Sequence, residues 1–61
     1  MDAAQIAFQL GEQFGRDATR EALRLYDETW QAAGKTAAAP YAAAAILLCR
    51  NAVAGKPEAL F

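Results

Sequence analysis

A stretch of 32 residues, from Asp2 to Ala33, contains no proline and consists mainly of Ala, Gln, Glu, Arg and Leu. These residue types favour helix, so the stretch predicts one long helix over about residues 2–33. Asp2 is placed to cap its first turn, and Gly34 to end it in a left-handed conformation. At 100° per residue the small and apolar side chains share one side of this helix. That side comprises Ala3, Ile6, Ala7, Leu10, Gly11, Phe14, Ala18, Ala22, Leu25, Thr29 and Ala32.

A second helix is predicted over about residues 40–54, after a turn over residues 34–39. Pro40 suits the first position of a helix, because its missing N–H is not needed there. The sequence Gly55-Lys56-Pro57 is a typical helix end, and it leaves residues 55–61 as a short tail. The second helix is apolar on nearly every side, so it needs neighbours on at least two sides.

The two glycines inside the long helix leave an alternative open. Gly11 and Gly15 each cost about 1 kcal/mol relative to alanine, and Asp17 could cap a new helix. The alternative is a three-helix bundle broken near Gly15, with helices over 2–14, 17–33 and 40–54. We favour the unbroken helix because small residues that allow close helix packing lie at the centre of its apolar side, which would give the glycines a packing role. These residues are Ala7, Gly11, Ala18 and Ala22.

The unequal lengths of the two helices predict a homodimer. The long helix would measure about 48 Å and the short one about 22 Å, so a hairpin covers only half of the long helix. Large apolar residues on the other half, among them Phe8, would need a second copy, which gives a homodimeric four-helix arrangement. The predicted dimer interface consists of Ile6, Leu10, Phe14, Ile46, Leu47 and Val53.

The size of the chain supports the same expectation. A folded monomer of 61 residues would bury about 3,400 Å² of apolar surface, worth about 85 kcal/mol. Ordering the chain costs about 90 kcal/mol, so the balance is near zero. A single Cys cannot form an internal disulfide, and a chain without His is poorly suited to zinc.

Several classes of function are disfavoured by composition. Without His, the sequence lacks the side chain best suited to proton transfer near neutral pH, so we expect no enzyme, cofactor, metal or small-molecule substrate. The longest uncharged apolar run, residues 37–49, is too short to span a bilayer, so no membrane is expected. No signal peptide is visible, which predicts a cytoplasmic location.

What remains is a small, non-enzymatic protein-protein interaction module, acting as a homodimeric adaptor or as an inhibitor that occludes a partner protein. Candidate partner-binding residues are Tyr26, Trp30, Leu60 and Phe61. Tyr26 and Trp30 could instead pack with Leu23 in the core of the hairpin, and Leu60 and Phe61 could seal the end of their own bundle. The alternative is a small DNA-binding transcriptional regulator that uses Arg16, Arg20 and Arg24. Neighbouring acids and a net charge of −1 make nucleic acid an unexpected partner.

Overall fold

The computed structural model describes the backbone of residues 2–54 and the side chains of residues 2–52. Helix α1 covers Ala3–Phe14, a 3₁₀ turn covers Gly15–Asp17, α2 covers Ala18–Ala33, and α3 covers Lys35–Ala54. Every residue from 2 to 54 except Asp2 and Gly34 is helical, and this part of the chain holds no strand. The predicted all-α class is confirmed.

The start of α1 follows the sequence prediction. The Asp2 carboxylate accepts a hydrogen bond from the backbone N–H of Gln5 at 2.9 Å. In return, the Gln5 side-chain oxygen accepts one from the backbone N–H of Asp2 at 3.4 Å. This reciprocal capping box satisfies two donors that have no partner within the helix and so fixes where α1 begins.

The prediction of one unbroken helix is wrong, because the chain breaks at Gly15. This residue has φ 55° and ψ −116°, a backbone conformation that residues other than glycine rarely adopt. Its N–H donates to the Gly11 carbonyl. The break lies where the three-helix alternative places it. A packing role for Gly15 is also wrong, since a Cβ built there would meet no atom within 4 Å. Asp17 stands at the start of α2, but its side chain makes no capping hydrogen bond.

The connection between α2 and α3 is shorter than predicted. Gly34, with φ 94°, donates its N–H to the Trp30 carbonyl at 2.9 Å and ends α2 as expected. Its own carbonyl accepts from the Ala38 N–H at 3.2 Å, which already belongs to the first turn of α3. The predicted turn over residues 34–39 is therefore wrong: a single glycine reverses the chain.

The predicted start of the last helix at Pro40 is wrong for the same reason. Pro40 lies inside α3, where it lacks the N–H that would normally bond to the Thr36 carbonyl. An early start nevertheless buries Ala38 completely, and this burial helps to offset the lost hydrogen bond. Helix α3 consequently has 20 residues and a length of about 30 Å.

The extra length of α3 lets it cover α1 as well as α2. It runs back along α2 after the one-residue turn and continues onto α1. The expectation that Ile6 and Leu10 need a second copy to cover them is therefore wrong, since both are buried within their own chain. Phe8 and Phe14 remain exposed, at 66% and 40% respectively.

The core along these contacts consists mostly of alanine. Among the side chains of residues 2–52, six of the eight buried apolar ones are alanines, and only Ile6 and Leu10 are larger. The alanines are Ala7, Ala18, Ala22, Ala38, Ala44 and Ala45. Such small side chains allow helix axes to approach to the short end of the usual range, about 8 Å. Other large apolar side chains are left exposed outside this core, among them Leu23, Trp30 and Ile46.

Candidate functional site

One apolar strip follows the flank of α2. Leu23, Tyr26 and Trp30 are spaced i, i+3 and i+7, so they lie on one side of the helix. Leu23 is 53% exposed and Trp30 is 43% exposed. The rings of Tyr26 and Trp30 pack edge to face, with centroids 5.6 Å apart and an interplanar angle of 64°. This geometry holds both aromatic rings in place while leaving much of the indole open to a partner.

A second strip follows α3. Ala42, Ile46 and Cys49 are spaced i, i+4 and i+7, and Ile46 is 58% exposed. Cys49 is also exposed, and Ala42 is half-buried. Its end residues, Ala42 and Cys49, are small, so this strip protrudes less than the aromatic strip on α2.

Helix geometry brings the two strips to the same side of the hairpin. On α2 the strip is rotated by about 90° around the helix axis from the side that buries Ala18 and Ala22. The rotation has the same sense as that from one residue to the next. On α3 it lies about a quarter turn beyond the side that buries Ala38 and Ala45, in the same sense. Because the helices run antiparallel, equal rotations point to one common side. We call the combined surface of these six residues the α2–α3 face.

A separate groove lies between α1 and α3, on the other side of α3. It has a volume of about 530 Å³. We call it the α1–α3 groove, and it is lined by Ala4, Ala7, Phe8, Gly11, Glu12, Leu47, Leu48 and Asn51. Only Glu12 and Asn51 among these carry polar side chains, so the groove suits an apolar occupant.

The three arginines of the DNA-binding alternative, Arg16, Arg20 and Arg24, do not form one continuous cationic surface. Arg16 lies in the 3₁₀ turn rather than on the same helix as Arg20 and Arg24. The Arg24 guanidinium donates to Glu21 at 2.9 Å and to Glu28 at 2.6 Å. These hydrogen bonds raise the pKa of Arg24 above its ordinary value, and the bond to Glu21 has the larger effect. Its positive charge is thus shared with two carboxylates of its own helix.

The structure separates the predicted interface residues. Ile6 and Leu10 are buried, Leu47 is half-buried at the groove, and Phe14 and Ile46 are exposed. Of the predicted partner-binding residues, Tyr26 and Trp30 lie together on the α2–α3 face. The side chain of Val53 and the residues Leu60 and Phe61 lie outside the described part of the chain.

Two members of the α2–α3 face, Ala42 and Cys49, were not identified from the sequence. Their helical spacing with Ile46 is a usable signal. It is masked, however, because α3 is apolar on nearly every side, and only the packing of α2 and α1 shows which side stays open.

Three further observations concern the chemistry of the surface. Among residues 2–54, no His, Cys, Asp and Glu side chains gather in a group of three that could hold a metal ion. Within the same range, no helix combines the length and apolar character needed to cross a bilayer. Comparison of the chain with protein-family models, with curated proteins and with solved structures gives no match.

Proposed function

We propose that this chain is a non-enzymatic protein-protein interaction module whose binding surface is the α2–α3 face, and that it pairs first with a second copy of itself. The observation that carries the proposal is the exposure of Leu23, Trp30 and Ile46 on one side of the hairpin. Exposed apolar patches of this kind are typical of protein interaction sites. Covering them in a homodimer removes apolar surface from water and stabilises the pair.

The shape of the face supports a second copy as the occupant. Its α2 half is raised by Leu23, Tyr26 and Trp30, whereas its α3 half is lower because Ala42 and Cys49 are small. A twofold axis along the hairpin would place the raised half of one copy on the low half of the other. The two hairpins then pack face to face as two layers of two helices each. The dimer would bind a target protein and act as an adaptor or an inhibitor.

The charge pattern supports protein binding over DNA binding. A DNA-binding surface needs cations free to reach phosphates along a groove. Arg24 is engaged by Glu21 and Glu28, and Arg16 is separated from it by the helix break. Aromatic anchors such as Tyr26 and Trp30 are instead enriched at protein interfaces.

Cys49 offers a direct test, because it is the only cysteine and lies on the α2–α3 face. We expect its rate of alkylation by a thiol reagent to fall as protein concentration rises through the micromolar range. Pairing covers the thiol, and reaction then requires dissociation. Ile46→Ser should abolish this concentration dependence, because it removes apolar area next to the thiol.

Phe8→Ser is the matched control, since Phe8 is 66% exposed, against 58% for Ile46, but belongs to the α1–α3 groove. It should leave the concentration dependence of alkylation unchanged. A wild-type rate that is the same at every concentration contradicts pairing through this face. Equal loss of protection in the two variants contradicts the assignment of the surface.

A further inference from the structure

We infer that the α1–α3 groove binds a small amphiphilic cation, a molecule that carries an ammonium group on an alkyl or aryl body. The body would lie on the apolar floor of the groove, and the ammonium group would lie beside Phe8 and the Glu12 carboxylate. The molecule is bound and not transformed. This site is separate from the α2–α3 face, so it goes beyond the proposed self-pairing and does not depend on it.

The groove has the size of a small-molecule site. Its volume of about 530 Å³ lies within the range of about 300–1,000 Å³ that is usual for ligand pockets. The α1 residues that line it run from Ala4 to Glu12, a distance of about 12 Å along the helix. A Cβ built on Gly11 would lie 3.8 Å from Leu48 Cδ2, so α1 and α3 are in contact beneath the groove. A short groove closed from below suits a short alkyl chain or one aromatic ring better than a partner helix of several turns.

The walls of the groove favour an apolar body on the ligand. Phe8 is 66% exposed, and Ala7 and Leu48 on either side of the groove are apolar. A ligand that covers the Phe8 ring removes apolar surface from water, both its own and that of the protein.

The charge of the groove favours a cationic head group. Glu12 is the one lining residue with a formal charge. Within residues 2–52 both ion pairs are made by Arg24 on α2, so Glu12 has no cationic partner among these side chains. A ligand cation would supply that partner.

The helix break explains why Glu12 lacks a partner. In a continuous helix Arg16, four residues further on, would be placed to pair with it. The break at Gly15 puts Arg16 in the 3₁₀ turn instead, where it forms no ion pair with Glu12. Phe8 precedes Glu12 by four residues within α1, so their Cβ atoms lie about 5–6 Å apart. A cation beside both is attracted by the carboxylate and by the aromatic ring.

Titration of the full chain with n-hexylammonium chloride, followed by the backbone amide shifts, tests the site. We expect a dissociation constant on the order of 1 mM, because the ligand is small and the groove is open. At low ionic strength n-hexanol, which has the same alkyl chain without the charge, should bind about fivefold more weakly. The largest shifts are expected at Phe8, Gly11 and Leu48, whereas Leu23 and Trp30 on the α2–α3 face should move little.

Glu12→Gln separates the charge from the apolar contact. Glu12 is exposed, so the fold is expected to tolerate this change. The variant should bind n-hexylammonium about threefold more weakly and n-hexanol as the wild type does. Glu28→Gln is the matched control, because it removes the same charge from an exposed position on α2. It should leave both affinities unchanged.

Three results would overturn the inference. Equal weakening in the Glu12 and Glu28 variants would show attraction to the overall charge of the protein. Shifts at Trp30 as large as those at Gly11 would show general association with exposed apolar side chains. Shifts at Phe8 and Gly11 that follow protein concentration without any ligand would assign the groove to a second copy.

The outcome can be told apart from that of the proposed self-pairing. Alkylation of Cys49 is measured without ligand and reports on the α2–α3 face alone. Failure of n-hexylammonium to bind in the groove therefore leaves the test of that face unaffected.

Discussion

Replacing Ala22 by leucine is expected to lower the free energy of unfolding by about 1–3 kcal/mol. Ala22 is fully buried in the core that α2 forms with α3, and the core around it consists largely of alanine. A leucine there must push the helices apart or adopt a strained rotamer. For a domain of this size, a loss of about 2 kcal/mol corresponds to a fall of about 8–16 °C in melting temperature.

Thermal unfolding followed by circular dichroism measures this effect. Ala43→Leu is the matched control, because Ala43 is an exposed residue of α3 and the added side chain meets solvent. The control should shift the melting temperature little. If both variants melt at the wild-type temperature, α2 and α3 do not pack closely through their alanines.

Gly15→Ala is the second change with a large expected effect, a loss of about 1–3 kcal/mol of stability. The backbone of Gly15 has φ 55° and ψ −116°, which strains any residue with a side chain. Straightening the chain into one continuous helix would relieve the strain. It would also lift α1 from α3 and expose Ile6 and Leu10, so either response is unfavourable.

Gly11→Ala is the comparison, and it should have the opposite sign. Gly11 lies inside α1, and a Cβ there makes an ordinary contact with Leu48 at 3.8 Å. Alanine is therefore expected to stabilise the protein by about 1 kcal/mol through helix propensity. Urea unfolding of both variants gives the two free energies. A stabilising Gly15→Ala would contradict the break between α1 and α2.

The helical fold and several of its ends could be predicted from the sequence because their causes are local. The cap at Asp2 depends on residues within one turn, and the stop at Gly34 depends on a conformation that glycine adopts readily. Gly11 and Gly15 have the same helix propensity, and Asp17 only made a break near Gly15 one of two alternatives. The break is accompanied by packing of α1 onto α3. This contact joins residues that are distant in sequence, so it leaves no local signal.

The prediction of where α3 starts was wrong for a related reason. Pro40 suits the first position of a helix, and the sequence alone favours a start there. Beginning at Lys35 instead buries Ala38 and adds five residues, about 7.5 Å, to α3. With this length α3 reaches α1 and covers Ile6 and Leu10. The apolar residues that stay exposed together are then those of the α2–α3 face.

The alanine core links the fold to the proposed function. Because small residues occupy the contacts between helices, large apolar residues such as Leu23, Trp30 and Ile46 remain at the surface. A larger core would have used them internally. The packing of small residues between α2 and α3 thus leaves large apolar side chains on the face that we propose for self-pairing.

Sedimentation equilibrium of the wild-type chain measures self-pairing without any label or substitution. We expect a mass of about 13 kDa at micromolar concentration, twice the 6.5 kDa of one chain. Combining Leu23→Ser with Ile46→Ser should return the mass to that of one chain while the helical signal is kept. A wild-type mass of one chain at every concentration up to the millimolar range would contradict self-pairing through the α2–α3 face.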